Sequence, residues 1–189
     1  LRRRFGRARW FCYGGAMAHG ATTPSLESVE FGGRLVMIGC GSIGQATLPL
    51  LRRHVGLAPG ALTVLSADER GRGVAEAAGA RFIHCHLKPG NYHRQLSRYV
   101  GAGDLLLNLS VDVSSLDLVE WCAESGALYV DTSIEPWPGV FDNPMLSLRE
   151  RTNYLTRERM LRLGRRLGPQ SSTAIVDHGA NPGLVSHFV

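Results

Sequence analysis

The sequence lacks long apolar runs and internal repeats. Its longest apolar stretches, near residues 35–38 and 105–107, have the length of a buried strand and fall far below the roughly 20 residues that a membrane-spanning helix needs. With 189 residues, 44% of them hydrophobic and 20% charged, the composition is typical of one globular domain, with room for the start of a second. We therefore expect no membrane span, no coiled coil and no disordered chain.

Paired cysteines are also missing. The four cysteines form neither a C-x-x-C motif nor a Cys/His pattern with the spacing of a zinc site; they are Cys12, Cys40, Cys85 and Cys122. Scattered thiols are typical of a reducing compartment, so we predict a cytoplasmic protein without disulfide bonds. His84 and His86 share a face of one predicted strand, but no third ligand lies near them in the sequence, so we predict no metal site.

Acidic residues are absent from positions 1–17, and this accounts for the formal charge of +5. The segment holds five arginines, which are Arg2, Arg3, Arg4, Arg7 and Arg9. The rest of the chain is therefore close to neutral, and the basic charge does not indicate a nucleic-acid-binding domain. We interpret residues 1–32 as a flexible tail and expect Met17 to be the native start. The alternative, a twin-arginine signal, lacks a continuous apolar region.

From residue 33 onward, apolar segments alternate with amphipathic ones. The sequence predicts strands at residues 34–38, 61–66, 81–87, 104–109, 127–131 and 172–177, and helices at 42–55, 70–78, 92–100, 114–124 and 152–167. Strands and helices that alternate with short connections are typical of a parallel sheet with helices on both faces. Because parallel crossovers are right-handed, the pattern predicts a doubly wound, mostly parallel, Rossmann-like α/β domain at residues 33–189.

The end of the sequence resembles the beginning of another element. A further helix is predicted to begin near Leu184, a few residues before the last one. Complete domains rarely stop inside an element. We therefore expect the sequence to be a fragment, with a substrate-binding domain following residue 189.

A glycine-rich segment joins the first predicted strand to the first predicted helix. It reads Gly-Cys-Gly-Ser-Ile-Gly, which is the G-x-G-x-x-G fingerprint of dinucleotide-binding domains. Gly39 permits a tight turn, Gly41 lets the backbone approach a pyrophosphate, and Gly44 lets the helix pack closely on the strand. Ser42 and Ile43 open the helix, whose free N–H groups attract phosphate. The continuous helix favours a dinucleotide over the adenosyl cofactor of a methyltransferase.

Asp68 follows the second predicted strand. An acid at this position accepts hydrogen bonds from the adenosine ribose of NAD and repels the 2′-phosphate of NADP, so we predict NAD as the cofactor. Arg70 and Arg72 lie close in sequence and weaken this preference. A helix-capping role for Asp68 is the alternative.

Three further segments follow the ends of predicted strands. They are Asn-Leu-Ser-Val-Asp at 108–112, Tyr-Val-Asp-Thr-Ser-Ile-Glu-Pro-Trp-Pro at 129–138, and Gly-Ala-Asn-Pro-Gly at 179–183. Together with the strand and fingerprint at 34–44, these segments closely resemble bacterial homospermidine synthase, a member of the saccharopine dehydrogenase-like group. The resemblance covers residues 33–189. Its Glu-Pro-Trp and Gly-Ala-Asn-Pro-Gly segments are specific, whereas the glycine fingerprint is not.

This resemblance implies an enzyme that uses NAD as a recycled hydride carrier. A hydride is removed from putrescine, the imine exchanges its amine for a second putrescine or for the aminobutyl group of spermidine, and the returning hydride gives homospermidine. Such a protein binds cationic diamines and, when complete, would form a homodimer. Further substrate contacts of the family lie beyond residue 189, so this chain alone would bind NAD and need not turn over substrate.

The same segments contain the candidate site residues, because open α/β sheets bind ligands at the carboxyl ends of their strands. Asn108 and Ser110 are predicted to border the nicotinamide half of NAD. Asp112 is a candidate catalytic residue that would pair with an ammonium group, with a cap of the following helix as the alternative. Asn181 is a candidate catalytic residue that would orient the amine or the nicotinamide, with a plain turn as the alternative. The cofactor-binding set also includes the two residues that follow it, Pro182 and Gly183.

Glu135 and Trp137 carry weaker predictions. We expect Glu135 to brace the proline-rich loop and Trp137 to pack in the core. The arginines of the helix at 152–167 are expected on its solvated face.

Two other functions are compatible with the sequence. A saccharopine-type dehydrogenase, which reduces an imine formed from an amino acid, would need arginine or lysine for the substrate carboxylates, whereas a diamine enzyme would need acids and aromatic residues. A truncated, non-catalytic NAD-binding module is the third interpretation.

Overall fold

The computed structural model describes residues 28–180 and 183–188, and parallel strands dominate it. The strands are β1 (Val29–Phe31), β2 (Leu35–Ile38), β3 (Val55–Leu57), β4 (Leu62–Ser66), β5 (Arg81–His84), β6 (Leu105–Asn108), β7 (Leu128–Asp131) and β8 (Ala174–Ile175). Six of them form one sheet in the order β5-β4-β2-β6-β7-β8, and every neighbouring pair is parallel. The prediction of a doubly wound, Rossmann-like sheet is confirmed.

The strand order places the candidate site. The chain fills one half of the sheet with β2, β4 and β5, and then returns to the centre to build β6, β7 and β8 on the other side of β2. The order therefore reverses between β2 and β6, where such sheets bind ligands at the carboxyl ends. The register aligns Ile38 with Asn108, and Asn108 with Asp131. Three neighbouring strands thus end at one level.

Helices cover both faces of this sheet. They are α1 (Ser42–His54), α2 (Arg72–Ala77), α3 (Tyr92–Leu96), α4 (Ser115–Ser125) and α5 (Asn153–Leu167), followed by a 3₁₀ helix at Leu184–His187. Successive side chains of a strand point to opposite faces. Leu35 and Met37 accordingly pack in the core on the α1 side, whereas Val36 and Ile38 pack in the core beneath α4 and α5. None of the helices within 28–180 and 183–188 is both long and apolar enough to cross a membrane.

The structure differs from the sequence predictions in its shortest elements. Strands β1 and β3 form a separate two-stranded parallel sheet, in which Val29 pairs with Val55. Residues 29–31 were predicted to belong to the tail and residue 55 to end the first helix, so neither strand was predicted. Each strand is three residues long and none of its side chains is fully buried, so neither has the periodic apolar pattern from which strands are predicted.

Several predicted boundaries were also wrong. The strand predicted at 172–177 spans only Ala174–Ile175, and the helix predicted at 92–100 ends at Leu96. The element predicted to begin near Leu184 as an α-helix is a 3₁₀ helix of four residues. Short helices favour the tighter 3₁₀ form, because few i→i+4 hydrogen bonds are available to them.

Candidate functional site

The glycine fingerprint forms the loop between β2 and α1. Gly39 has φ = +91°, a conformation that side chains rarely adopt, and a Cβ atom built on it would lie 2.8 Å from the Ser110 nitrogen. A Cβ on Gly44 would lie 2.5 Å from the Gly39 carbonyl oxygen. Both positions therefore require glycine, because the loop contacts the end of β6 on one side and the first turn of α1 on the other.

Gly41 differs from these two glycines because nothing lies within 4 Å of the Cβ position built on it. It is the N-cap of α1, and its conformation is extended, with φ = −73° and ψ = −162°. Ser42 and Ile43, the first two helical residues, are exposed, and no side chain caps this end of the helix. The first N–H groups of α1 thus lack a side-chain acceptor beside an open space. Such a cradle fits a pyrophosphate.

Asp68 lies two residues after the end of β4. Its carboxylate accepts hydrogen bonds from the Arg70 backbone nitrogen at 3.0 Å and from the Arg70 guanidinium at 2.9 Å. These hydrogen bonds lower the pKa of Asp68. Helix α2 begins at Arg72 with Gly71 as its N-cap, so Asp68 closes a turn and does not cap a helix. The exposed carboxylate is available to a ribose but is already paired with a cation.

A cleft of about 170 Å³ opens between the ends of β2, β4 and the segment after β6. Gly39, Ala67, Ser110 and Asp112 are among the residues that line it. Asn108, at the end of β6, is 2% exposed and lies behind this lining. Its Oδ1 atom accepts hydrogen bonds from the Ser110 nitrogen at 3.2 Å and the Ser110 hydroxyl at 2.6 Å. The structure therefore brings Gly39, Asn108 and Ser110 together, and their contact with the nicotinamide half of NAD stays a prediction.

Asp112 does not cap the following helix. The N-cap of α4 is Ser114, whose hydroxyl accepts the Asp117 N–H at 3.3 Å. Asp112 is exposed and adopts φ = +63°, in the left-handed region. The capping alternative is therefore wrong, and the Asp112 carboxylate has no role as the N-cap of α4.

Glu135 braces the loop after β7, as expected. Its backbone N–H donates to the Ser115 hydroxyl at 3.0 Å, and its carboxylate accepts the Ser133 hydroxyl at 3.2 Å. The charges of other acids also act on its carboxylate. Burial raises the pKa of Glu135, and the negative charges of Asp112 and Asp177 raise it further. Three carboxylates from three different strand ends therefore share one electrostatic environment, and a cation placed between them would be stabilised.

Sequence reasoning missed a buried acid, Asp131, at the end of β7. It is fully buried, and its carboxylate accepts the Tyr129 hydroxyl at 2.8 Å and the Asp177 N–H at 2.8 Å. Burial raises the pKa of Asp131 to about 6, although these hydrogen bonds act in the opposite direction. Its spacing of two from Tyr129, on one face of a buried strand, was the available signal.

The third predicted segment is described only in part, because Asn181 and Pro182 lie outside the described residues. Gly183 adopts φ = +122° and forms a bridge with Gly179. A Cβ on Gly183 would lie 2.6 Å from the Gly179 oxygen. Gly179 and Gly183 therefore lie close together, and a 3₁₀ helix begins after Gly183. The roles of Asn181 and Pro182 stay predictions.

The remaining predicted side chains have structural roles. Trp137 is partly buried against the core and donates its indole N–H to Asp117. Its ring lies tilted against the Tyr92 ring, with the two centroids 5.6 Å apart. The arginines of α5 are exposed, as predicted; they are Arg157, Arg159, Arg162, Arg165 and Arg166. His84 contacts the Ala67 carbonyl at 2.9 Å. Within the described part of the chain, no group of three or more potential ligands could hold a metal ion.

The sheet order and the open glycine loop define a class: a doubly wound α/β domain that binds a dinucleotide. The chain belongs to the family of saccharopine dehydrogenase NADP binding domains, whose sequence model matches residues 35–175. This match, together with the similarities below, confirms the resemblance inferred from the sequence. A nicotinamide dinucleotide as the cofactor class also agrees with it.

Three relatives are similar over most of the chain. It is 46% identical over 160 residues to homospermidine synthase of Blastochloris viridis, a match that covers 83% of this chain and 33% of that protein. Identity to homospermidine synthase of Mesorhizobium japonicum is 38% over 163 residues, covering 85% and 33%. The crystal structure of homospermidine synthase from Legionella pneumophila in complex with NAD is similar with a TM-score of 0.75 and 35% identity, covering 86% and 32%. The chain thus spans about a third of each relative.

Proposed function

We propose that this chain is the NAD-binding part of a homospermidine synthase, an enzyme that joins two aminobutyl groups. The observation that carries the proposal is the group of carboxylates that follow β6, β7 and β8, in which the negative charges of Asp112 and Asp177 act on Glu135. Carboxylates bind the ammonium ends of a diamine by charge-assisted hydrogen bonds. The similarity to homospermidine synthases at 46% and 38% identity supports the same substrate class.

The cofactor would lie across the switch point between β2 and β6. The pyrophosphate would lie over Gly41 and receive hydrogen bonds from the first turn of α1, at Ser42 and Ile43. Asp68 would accept a ribose hydroxyl, which favours NAD over NADP. The nicotinamide would lie near Ser110. When bound, NAD would accept a hydride from the amine-bearing carbon of one diamine and return it to the imine carbon that joins the two aminobutyl groups.

The side chains around that cleft would handle charge and protons. Asp112 would bind an ammonium group of the diamine. An amine must lose its ammonium proton before a hydride can leave its carbon, and Glu135 would accept that proton. Its raised pKa suits this role, because a base is most effective when its pKa lies near the working pH. Asn181 would orient the amine, with Pro182 and Gly183 holding its turn beside the cofactor.

The rest of the substrate site would come from polypeptide outside this chain, since the relatives are about three times longer. We include in the proposal a substrate-binding domain that follows residue 189 and a homodimeric assembly. Size-exclusion chromatography with light scattering on the complete protein tests the assembly directly.

The decisive experiment uses the polypeptide from the complete reading frame that contains this chain. The protein is supplied with NAD and isotope-labelled putrescine, and mass spectrometry follows homospermidine while ammonia and NADH are measured. Labelled homospermidine, release of ammonia and no net NADH are the expected results. The matched control is Gly41→Ala, in which a methyl group occupies the pyrophosphate position. Absence of labelled product with wild-type protein that binds NAD would refute the synthase.

A saccharopine-type dehydrogenase is the second candidate, because one cation lies near the acids. Arg157 lines a cleft of about 150 Å³ together with Asp177 and Ser133, and a guanidinium is the group that binds substrate carboxylates. In the same assay, NADH that accumulates or disappears with an amino-acid substrate would identify this activity.

A further inference from the structure

The buried acid Asp131 is not used by the proposed chemistry, and its position calls for a physical reason. It lies at the end of β7 with 0% exposure, beside Tyr129 with 1%. Removing a carboxylate from water costs several kcal/mol unless hydrogen bonds compensate, and a packed apolar side chain often serves a core equally well. A charged group in this position is therefore expected to fix an arrangement that an apolar side chain could not.

The two carboxylate oxygens of Asp131 point to different strand ends. Oδ1 accepts the Asp177 backbone N–H at 2.8 Å, just after β8. Oδ2 accepts the Tyr129 hydroxyl at 2.8 Å, on the side of β6. Asp177 in turn accepts the Ile134 N–H at 2.9 Å with its own side chain. Asp131 thus ties the end of β7 to the loops that follow β7 and β8.

The bond to Tyr129 continues as a chain of hydrogen bonds with one direction. An ionised carboxylate can only accept, so the Tyr129 hydroxyl must donate to Asp131. The hydroxyl oxygen then accepts the Asn108 Nδ2 group at 3.4 Å. This leaves Asn108 Oδ1 directed at Ser110, where it accepts the backbone N–H at 3.2 Å and the hydroxyl at 2.6 Å. The charge on Asp131 therefore favours the same orientation of the Asn108 amide that the Ser110 N–H requires.

The last residue of this chain of hydrogen bonds borders the cofactor cleft. Ser110 lines the cleft, and its backbone nitrogen lies 2.8 Å from the Cβ position built on Gly39. We propose that Asp131 is a positioning residue which, through Tyr129 and Asn108, holds the Ser110 segment against the phosphate loop. The proposal rests on the proposed function only in taking the ligand of that cleft to be NAD.

The ionisation of Asp131 near neutral pH agrees with the direction of these hydrogen bonds. Burial raises its pKa to about 6, and the hydrogen bonds from Asp177 and Tyr129 hold it below a higher value. The groups that face it are Tyr129, Ser115 and Asp177. At pH 7.5 the carboxylate is therefore mostly ionised and accepts both hydrogen bonds.

The test exploits the asymmetry between the two partners of Asp131. In Asp131→Asn the amide oxygen must face the Asp177 N–H, because a backbone N–H cannot accept, and the NH₂ group then faces Tyr129. The Tyr129 oxygen now receives two N–H donors and no longer donates to residue 131, so the contact to Asn108 weakens. Tyr129→Phe removes the same link without touching Asp177. The two variants should therefore have one phenotype.

The first readout is amide hydrogen exchange of the 189-residue chain without cofactor, measured by NMR at pH 7.5. We expect the Ser110 amide to exchange about tenfold faster in both variants, while the Asp177 amide stays within about threefold of wild type. The matched control is Asp104→Asn, a buried carboxylate at the amino end of β6 that is 6% exposed. In this variant, the exchange rates of the Ser110 and Asp177 amides should change no more than the change in global stability accounts for. Loss of protection at both amides together, or at neither, would overturn the proposal.

The second readout is the dissociation constant for NAD, measured by calorimetry at a temperature where every variant is folded. Asp131→Asn and Tyr129→Phe should each weaken binding about tenfold, and the double variant should weaken it no further, because both act through one chain of hydrogen bonds. Asp104→Asn should bind as wild type does. Unchanged affinity in both variants would overturn the positioning role. If wild-type chain fails to bind NAD, the proposed function fails, and the exchange data alone decide the proposal.

Discussion

The two glycines Gly41 and Gly44 allow binding and folding to be separated by adding one methyl group. A Cβ on Gly41 meets nothing within 4 Å, whereas a Cβ on Gly44 would lie 2.5 Å from the Gly39 carbonyl oxygen. Neither glycine has a positive φ, so alanine is not strained at either site by its backbone conformation. The variants Gly41→Ala and Gly44→Ala therefore differ only in what the new methyl group touches.

The expected stabilities follow from these contacts. At the N-cap, alanine costs about 0.5 kcal/mol relative to glycine, and the less flexible unfolded chain offsets about the same amount. Gly41→Ala should therefore leave the free energy of unfolding nearly unchanged. In Gly44→Ala, overpacking against backbone costs about 2 kcal/mol, and higher helix propensity offsets about 1 kcal/mol. A net loss of about 1 kcal/mol is expected, with α1 displaced from β2.

For Gly41→Ala, we expect the affinity for NAD to fall although the stability does not. A methyl group in the open space would push a pyrophosphate away from the first turn of α1 and weaken about two hydrogen bonds to charged oxygens, each worth about 1.5 kcal/mol. A total of about 3 kcal/mol corresponds to roughly a 100-fold higher dissociation constant for NAD. Gly44→Ala should also weaken binding, but together with a loss of stability.

Calorimetric titration with NAD and urea denaturation of both variants check this reasoning. Gly41→Ala with wild-type stability and about 100-fold weaker binding is the expected result. Wild-type affinity in Gly41→Ala would show that the open space does not receive the pyrophosphate. Equal destabilisation of the two variants would show that the environment of Gly41 is not open.

Three further predictions address specificity, substrate and stability. Asp68→Ala should weaken the binding of NADH about tenfold and release Arg70 from its ion pair, so that the preference for NADH over NADPH falls. Fluorescence titrations with both cofactors measure this preference, and an equal loss of affinity for NADH and NADPH would contradict the prediction. Glu135→Gln in the complete protein should lower kcat with putrescine about 100-fold, because the base is lost, and leave the Kd for NAD unchanged. Steady-state kinetics and calorimetry measure the two quantities, and a parallel loss of NAD affinity would assign Glu135 to the cofactor. Asp104→Asn should lower the free energy of unfolding at pH 7 by about 2 kcal/mol. Burial opposes ionisation of Asp104, but hydrogen bonds from Arg34 and Gly101 lower its pKa. The difference in free energy of unfolding between wild type and variant should therefore shrink as the pH falls below about 3.9, the ordinary pKa of Asp. Urea denaturation from pH 7 to pH 3 measures this difference, and a constant value would exclude the charge of Asp104 as its source.

Most of the sheet could be predicted because its central strands are buried on both faces. All four residues of β2 are buried, so the strand reads as a continuous apolar run that ends at a glycine. The helix predicted at 152–167 was correct to within one residue, because α5 begins at Asn153 after Thr152, whose side chain accepts the Leu155 N–H at 3.4 Å. These signals are local in sequence. Strands β1 and β3 depend on each other across the intervening helix, and a single sequence does not show that dependence.

The phosphate loop could also be predicted from signals that are local in sequence, whereas the hydrogen bonds of Asp131 could not. Gly39 and Gly44 are required by contacts within the loop or with the nearest strand end, whereas Gly41 leaves an open space beside the helix. By contrast, Asp131 acts through partners at positions 108, 129 and 177, which are brought together only when β6, β7 and β8 are in register. The spacing of two between Tyr129 and Asp131 is a local signal, but it does not show which partners the acid has in the other strands.

The backbone at Asp112 strengthens the case for a cationic ligand. A positive φ costs little free energy at glycine, a moderate amount at asparagine and aspartate, and more at other residues. At φ = +63°, glycine would satisfy the turn at lower cost and asparagine would satisfy it without charge. The helix that follows is capped by Ser114, so the cap does not require a carboxylate either. Asp112 therefore brings a negative charge toward Glu135 against both conformational and electrostatic cost. A ligand with a positive charge at this edge of the sheet is the interaction that would offset these costs.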